Sequence, residues 1–301
     1  MSRPVYRAPI IVMAFNRPHY LEEVLQSLRT QRNCKIDERR IFLFQDGGKS
    51  GWADEIHADI DTLRASVSTF NKLIPRGRVW ASDLNLGVAL NFDRAERFAF
   101  EDLEAEAAIF LEDDLVLSPY YINTLDHLIT YALEEPRVGY VAAYGNHTAP
   151  YEMQLQRRSD FTALFHNWGF GLVKRQWLAQ RPYVDQYLDI IRRANYRQRD
   201  VAAISELFKS WGVGVPGTSQ DCAKSLACVV TGAVKINTFA CFARYIGATG
   251  LHMNPKAFEQ RGYSKTQVFG EEVLNFQTLD DHTYQRIYAE QKRWAMSSMV
   301  S

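Results

Sequence analysis

The chain has no surplus of charge of either sign. Its 301 residues include 35 lysines and arginines and 35 aspartates and glutamates, so the formal net charge is +0. A protein that wraps a nucleic-acid backbone usually carries a basic surplus. The composition therefore argues against nucleic acid as a partner and leaves room only for a local basic patch. Apolar residues make up 47% of the chain, which is enough for a sizeable core and excludes wholesale disorder.

Cysteine is scarce as well. The four cysteines are Cys34, Cys222, Cys228 and Cys241. They form no CxxC pair and no cluster with histidine at the spacing of a zinc site. We therefore expect reduced core thiols in a cytoplasmic protein.

Long apolar runs are also missing. The run 10–15 follows Arg3 and Arg7, but it is short for a signal peptide, and Asn16-Arg17-Pro18 stands where a cleavage site would be. A buried first strand is the better interpretation. No stretch approaches the ~18 apolar residues that a spanning helix requires. The sequence thus predicts no transmembrane segment and a cytoplasmic location, with attachment to the inner face of the membrane through a partner or a lipid-linked substrate left open.

Apolar runs of strand length alternate with segments of helical period. The first half predicts strands at 9–15, 41–44, 78–80, 107–111 and 138–144, and helices at 19–29, 52–66, 87–103 and from Ser118 onward. The second half is less regular, with extended segments at 161–165, 170–173 and 234–243 and helices from Arg175, over 201–210, from about 219 and over 280–295. This alternation predicts an α/β fold with a mostly parallel central sheet and helices on both faces.

Three of the predicted strands end in polar residues. These are Asn16-Arg17, Asp46-Gly47-Gly48 and Glu112-Asp113-Asp114. In open α/β sheets the ligand binds beyond the carboxyl ends of the strands. If the sheet is parallel, a guanidinium and several carboxylates meet in one crevice.

The acidic triplet 112–114 is the most informative of these segments. Adjacent carboxylates repel one another, and apolar runs flank the triplet on both sides. A hard divalent cation is therefore favoured over an acidic surface loop. For Asp46 ordinary turn chemistry remains an equal alternative. Arg17 is either a surface arginine or a phosphate ligand, and Gly87 is either a helix start or a close approach of backbone to ligand.

Four segments in this order resemble the GT-A fold glycosyltransferases. They read Val-Met-Ala-Phe-Asn-Arg-Pro (12–18), Phe-Gln-Asp-Gly-Gly (44–48), Asn-Leu-Gly-Val-Ala-Leu-Asn (85–91) and Ile-Phe-Leu-Glu-Asp-Asp-Leu-Val-Leu-Ser-Pro (109–119). Their spacing is most similar to the N-acetylglucosaminyltransferase I family and its bacterial relatives, with matches from about residue 8 to residue 255. The resemblance implies a GT-A (Rossmann-like) domain over 1–270, with a nucleotide-binding half 1–115, an acceptor half 116–270 and a C-terminal helical tail 271–301.

The resemblance also implies a donor site. Arg17 matches an arginine near the diphosphate, Asp46 an aspartate that bonds the uracil edge, and Glu112 and Asp113 positions beside the ribose and the donor sugar. Asn91 stands where eukaryotic members have a histidine that contacts uridine. The full set of implied donor-binding residues is Phe15, Asn16, Arg17, Asp46, Gly47, Asn85, Gly87, Asn91, Glu112, Asp113, Trp168, Gly169 and Arg244.

Metal and base positions follow in the same way. Asp114 matches the carboxylate that binds manganese, and His252 matches a histidine near the metal or the diphosphate. Asp221, in Thr-Ser-Gln-Asp-Cys, matches the family's base position without the aromatic residue that usually precedes it.

The resemblance implies a metal-dependent inverting glycosyltransferase that uses Mn²⁺ or Mg²⁺. It would move a sugar, with N-acetylglucosamine as the first choice, from a UDP-sugar to a hydroxyl of a glycan or lipid-linked acceptor, as in polysaccharide biosynthesis. Two alternatives stay open. A sugar-phosphate nucleotidyltransferase would normally show a glycine-rich basic loop where this chain has 16–18, and a non-catalytic module on a degenerate fold would not need the intact acidic triplet.

Overall fold

Short apolar segments form the strands of a computed structural model that describes residues 8–250 and 253–298. The strands are β1 (Ile10–Ala14), β2 (Ile41–Gln45), β3 (Lys49–Ser50), β4 (Arg78–Ala81), β5 (Leu84–Asn85), β6 (Ala107–Glu112), β7 (Leu115–Leu117), β8 (Val138–Ala142), β9 (Phe161–Ala163), β10 (Gly169–Val173), β11 (Val234–Thr238) and β12 (Ala243–Tyr245). The helices are α1 (Pro18–Arg29), α2 (Ile60–Leu73), α3 (Gly87–Arg97), α4 (Tyr121–Glu134), α5 (Tyr151–Gln156), α6 (Lys174–Ile191), α7 (Val201–Ser210), α8 (Gln220–Val230), α9 (Pro255–Gln260) and α10 (Asp281–Ala295).

The central sheet of the described residues has eight strands in the order β4-β2-β1-β6-β10-β8-β11-β9. Strands β10 and β9 run antiparallel to their neighbours, and the other six share one direction. Side chains alternate between the faces of the sheet. Val12 and Ile109 pack under α1, α2 and α4, whereas Ile11 and Phe110 pack under α3 and α6. The predicted α/β fold, with a mostly parallel sheet and helices on both faces, is confirmed.

The predicted helix at 52–66 is wrong in position. The structure places β3 at Lys49–Ser50 and begins α2 only at Ile60. Asp59 is the N-cap of this helix, because its carboxylate accepts a hydrogen bond from the backbone N–H of Asp61 at 3.2 Å. Helix α2 therefore begins after the Asp59 cap, which lies inside the segment 52–66 that the sequence predicts as a helix.

The strand predicted at 234–243 is two strands. Strand β11 joins the central sheet, whereas β12 forms a separate antiparallel ribbon with β7, in which Tyr245 lies opposite Leu115. Between them the Thr238 hydroxyl donates to the Ala240 carbonyl at 2.6 Å. This ribbon matters for the site, since it lies directly after the acidic triplet.

Helix α10 covers part of the central sheet. The Gln291 amide donates to the Lys235 carbonyl at 2.7 Å, and its oxygen accepts from the Lys235 N–H at 3.3 Å. The segment predicted as a C-terminal tail thus holds β11 in place. The division of the chain into a nucleotide-binding half, an acceptor half and a tail, with boundaries at 115 and 270, stays a prediction. Among the described residues, no helix combines the length and the apolarity that crossing a membrane requires.

Candidate active site

Arg17 and the acidic triplet meet beyond the carboxyl ends of two neighbouring strands. Strands β1 and β6 are parallel and adjacent, with Met13 opposite Glu112. The Arg17 guanidinium donates to Asp113 Oδ1 and lies 2.7 Å from Asp114 Oδ2. The structure therefore brings these three side chains into contact, as the strand pattern predicts. The space beyond the strand ends around them is called the crevice below.

Asp113 and Asp114 are buried, Glu112 is half-buried, and their charges are only partly compensated. Burial raises the pKa of Asp114 to about 6, against the opposing effect of the Arg17 charge. Burial raises the pKa of Glu112 well above its usual range, and the charges of Asp114 and Asp221 raise it further. Asp113 Oδ2 and Asp114 Oδ1 are buried without a hydrogen-bond partner in the part of the chain that the structure describes. Such orphaned acceptors are rare in folded proteins and point to a missing cation or donor.

These two oxygens fit a hard divalent cation. Within residues 8–250 and 253–298, no three His, Cys, Asp or Glu side chains form a ready-made metal cage. Mg²⁺ and similar ions often take only one or two carboxylates and complete their shell with substrate phosphates and water. The donor set of Asp113 and Asp114 matches that mode of binding. The predicted ligand His252 lies outside the described residues.

A loop after β12 closes over the same carboxylates. The Ile246 N–H donates to the Asp114 carbonyl at 2.9 Å. The next residue, Gly247, lies so close that a Cβ there would overlap Asp114 Oδ2 and the Tyr245 hydroxyl. The Thr249 hydroxyl bonds Tyr20 on α1 at 3.1 Å. The loop is thus tied to both sides of the crevice.

Asp46 anchors a turn instead of facing open space. Its oxygens accept hydrogen bonds from the backbone N–H groups of Gly47 at 2.9 Å, Leu86 at 2.8 Å and Gly87 at 3.0 Å, and from the Asn85 amide at 3.1 Å. Burial raises its pKa to about 6. The structure therefore brings four of the predicted donor residues together, with Asp46 holding the start of α3 against the end of β2.

Four other residues predicted to bind the donor differ in how far their side chains are buried. Asn91 is buried on α3, where its amide donates to the Phe44 carbonyl at 3.2 Å and its oxygen accepts from Arg94 at 2.8 Å. The Phe15 carbonyl accepts a hydrogen bond from the Gln45 amide at 2.7 Å, and Asn16 is exposed. The Arg244 side chain is 52% exposed and lies 3.8 Å from Glu23, so the structure does not bring it to the acidic triplet.

Aromatic rings line the crevice beside Glu112. The Glu112 N–H donates to the Trp168 carbonyl at 2.7 Å, just before Gly169 begins β10. The Trp168 ring stacks on Tyr245 at 4.3 Å and on His166 at 5.0 Å between ring centroids. Sequence reasoning missed Tyr245 and selected Arg244 instead. The period-2 alternation of β12 could have found it, because Tyr245 and Arg244 must point to opposite sides.

His166 makes the stability of this aromatic cluster depend on pH. Burial lowers its pKa from 6.5 to about 4. Between these values His166 binds a proton in the unfolded chain but not in the folded chain, so its own contribution to the free energy of unfolding falls by about 3 kcal/mol as the pH falls from 6.5 to 4. We expect His166→Gln, which keeps a donor for the Tyr144 carbonyl, to remove this loss. Denaturant unfolding at pH 7 and pH 4 checks it, and parallel losses in both proteins would contradict it.

Asp221 lies in the first turn of α8, within electrostatic reach of Glu112. Ser219 caps the helix, since its hydroxyl accepts from the Cys222 N–H at 3.2 Å. Asp221 Oδ1 accepts hydrogen bonds from the side-chain amides of Asn167, at 3.2 Å, and of Gln220. Because the Asp221 charge raises the pKa of Glu112, the two carboxylates share one electrostatic environment. Asn167 is a further residue that sequence reasoning missed.

No family model and no curated protein matches the sequence. Among solved structures, the chain is similar to the mannosyltransferase PcManGT from Pyrobaculum calidifontis in complex with GDP-Man and Mn²⁺, with 14% identity, a TM-score of 0.41 and coverage of 58% of this chain and 47% of that one. It is also similar to S. aureus TarS 1-349, with 14% identity, a TM-score of 0.41 and coverage of 77% and 60%. A further structure of S. aureus TarS gives 12% identity, a TM-score of 0.45 and coverage of 95% and 43%. The chain thus spans about half the length of these proteins.

Proposed function

We propose that this protein is a metal-dependent inverting glycosyltransferase that moves a sugar from a UDP-sugar to a hydroxyl of a glycan or lipid-linked acceptor, with N-acetylglucosamine as the first choice of sugar. The observation that carries the proposal is the contact of Arg17 with two carboxylates that have orphaned oxygens. It is supported by Asp221, whose charge raises the pKa of the neighbouring Glu112. The segments that resemble the GT-A family contain Arg17, Asp113 and Asp114, and the same resemblance assigns Asp221 as the base.

The leaving group sets the first requirement. A nucleoside diphosphate departs with a growing negative charge, which a positive environment stabilises. Asp113 and Asp114 would hold Mn²⁺ or Mg²⁺ through the oxygens that have no partner. When bound, the ion supplies positive charge to the departing phosphates. The planar guanidinium of Arg17 has further N–H donors with which it would bond the phosphate oxygens.

The acceptor sets the second requirement. Its hydroxyl must lose a proton as its oxygen attacks the anomeric carbon, and the bond from that carbon to the diphosphate breaks with its electron pair on the leaving group. Asp221 would take the proton on Oδ2, because the hydrogen bonds from Asn167 and Gln220 both end on Oδ1. A single displacement of this kind inverts the anomeric configuration.

A donor hydrolysis screen tests the proposal without knowledge of the acceptor. The protein is incubated with UDP-GlcNAc, UDP-GalNAc, UDP-galactose, UDP-glucose or GDP-mannose and Mn²⁺, with and without EDTA. We expect slow release of UDP from one UDP-sugar, abolished by EDTA. UDP release that EDTA does not affect would contradict the requirement for a metal ion. Pyrophosphate release from a nucleoside triphosphate would support a nucleotidyltransferase instead, and no release from any donor would support a binding module.

Gly247→Ala provides a second test at the same carboxylates. The new methyl group would overlap Asp114 Oδ2 and the Tyr245 hydroxyl, so either the loop or the carboxylate must move. Overpacking of this kind costs on the order of 1–3 kcal/mol, and we expect the Mn²⁺-dependent affinity for UDP to fall about tenfold or more. Gly270→Ala is the control, because its Cβ would meet nothing within 4 Å. Calorimetric titration measures both, and equal affinities would contradict the placement of the loop.

A further inference from the structure

Lys235 is a buried cation that the mechanism above does not use. It is the second residue of β11, with 2% of its surface exposed. Its ammonium donates to Asn167 Oδ1 at 2.8 Å and to Ser225 Oγ at 2.7 Å, and it lies 5.1 Å from the centroid of the Tyr140 ring. A buried charge is costly unless polar groups surround it. The two side-chain oxygens and the Tyr140 ring around Lys235 therefore stabilise its ammonium group in the buried position.

The ammonium fixes the orientation of the Asn167 amide. An ammonium group can only donate, so the atom of Asn167 that faces it must be the oxygen. The amide nitrogen is then forced to the other side, where it donates to Asp221 Oδ1 at 3.2 Å. Asn167 is itself 1% exposed, so water does not compete for either end of the amide.

This chain of contacts decides which oxygen of Asp221 stays available. The Gln220 amide also donates to Oδ1, and no described residue donates a hydrogen bond to Oδ2. Without Lys235 the Asn167 amide could rotate and present its oxygen to Asp221. Two acceptors would then face each other, and their repulsion would turn the carboxylate.

We propose that Lys235 is a positioning residue, which holds Asp221 through Asn167 so that Oδ2 faces the acceptor hydroxyl. This inference rests on the proposed function, in which Asp221 is the base. Lys235 itself touches neither the donor nor the acceptor in this arrangement. We therefore expect its effect to be on the orientation of Asp221, whereas Arg17, Asp113 and Asp114, which follow β1 and β6, stay unchanged.

Lys235→Met tests this with UDP-GlcNAc hydrolysis in the presence of Mn²⁺, or with whichever UDP-sugar the donor screen selects. We expect kcat to fall about tenfold to a hundredfold, since small misplacements of a catalytic group have effects of that size, while the donor KM and the calorimetric affinity for UDP stay near their wild-type values. Ser225→Ala is the matched control. It removes one bond from the same ammonium and leaves the bond to Asn167, so kcat should change by less than about twofold.

A double-mutant cycle separates positioning from general structural damage. If Lys235 acts through Asn167, the double variant Lys235→Met with Asn167→Ala should be no slower than Asn167→Ala alone. Multiplied losses, a wild-type kcat in Lys235→Met, or a parallel loss of UDP affinity would each overturn the inference. Thermal unfolding confirms that each variant is folded, and Lys235→Leu, which also has no hydrogen-bond donor, replaces Lys235→Met if that variant does not fold. A wild-type protein that releases no UDP from any donor defeats the proposed function itself, whereas an active wild type with an unaffected Lys235→Met defeats only this inference.

Discussion

Asp221→Asn is expected to lower kcat by about a hundredfold to ten-thousandfold, the usual contribution of a general base. Asparagine has nearly the shape of aspartate, but it cannot accept the proton that the acceptor hydroxyl must lose. Its oxygen can still accept the bonds from Asn167 and Gln220 that Oδ1 receives. The affinity for UDP with Mn²⁺ should remain near the wild-type value, because Arg17, Asp113 and Asp114 are untouched. Initial rates of UDP release and calorimetric titration measure the two quantities separately.

Asp61→Asn is the matched control for this substitution. Asp61 occupies the same position in α2 that Asp221 occupies in α8, two residues after the N-cap. It is exposed and lies 3.3 Å from Arg64, away from the crevice. The control should keep wild-type turnover, which would show that loss of a carboxylate from a first helical turn is not itself damaging. Equal losses of turnover and UDP affinity in Asp221→Asn would assign Asp221 to the donor site instead of the acceptor.

The parallel half of the sheet could be predicted because its strands are continuous apolar runs. Strand β1 and the apolar part of β6 are buried on both faces, which is the pattern of parallel strands between two layers of helices. The reversed direction of β10 could not be predicted in the same way. Strand direction depends on which neighbours a strand pairs with, and β10 pairs with β6 and β8, which are distant in sequence. Local periodicity carries no information about such pairing.

The residues of the candidate site also separate into those that local sequence patterns predict and those that depend on long-range packing. Arg17 and the triplet 112–114 could be predicted because they directly follow buried strands. Lys235 could not, since Val-Lys-Ile-Asn-Thr alternates like a strand with one solvent-facing side. The structure buries all five residues. Ser225 from α8 bonds the Lys235 ammonium, and Gln291 from α10 bonds the Lys235 backbone. Asp46 is a third case. The sequence allowed either ordinary turn chemistry or a ligand role for it, and the structure shows that its carboxylate anchors a turn through four hydrogen bonds.

Asp114→Ala is expected to abolish the metal-dependent binding of UDP. The substitution removes one of the two orphaned oxygens and half of the carboxylate pair that Arg17 holds. Asp113 alone would leave a single carboxylate for the ion, and Arg17 would compete for it. Loss of a carboxylate ligand from a site with so few protein ligands leaves the ion bound mainly to phosphate and water. Titration of UDP with Mn²⁺ should therefore give the same weak affinity as titration with EDTA.

Asp83→Ala is the control for this variant. Asp83 follows β4 in the same parallel sheet and is exposed, so it tests whether any carboxylate near the strand ends attracts the ion. It should bind UDP as the wild type does. Retention of Mn²⁺-dependent UDP binding by Asp114→Ala would move the ion away from the acidic triplet. In that case the pairing of Arg17 with Asp113 and Asp114 would be a structural ion pair, and the positive charge for the leaving diphosphate would have to come from elsewhere in the chain.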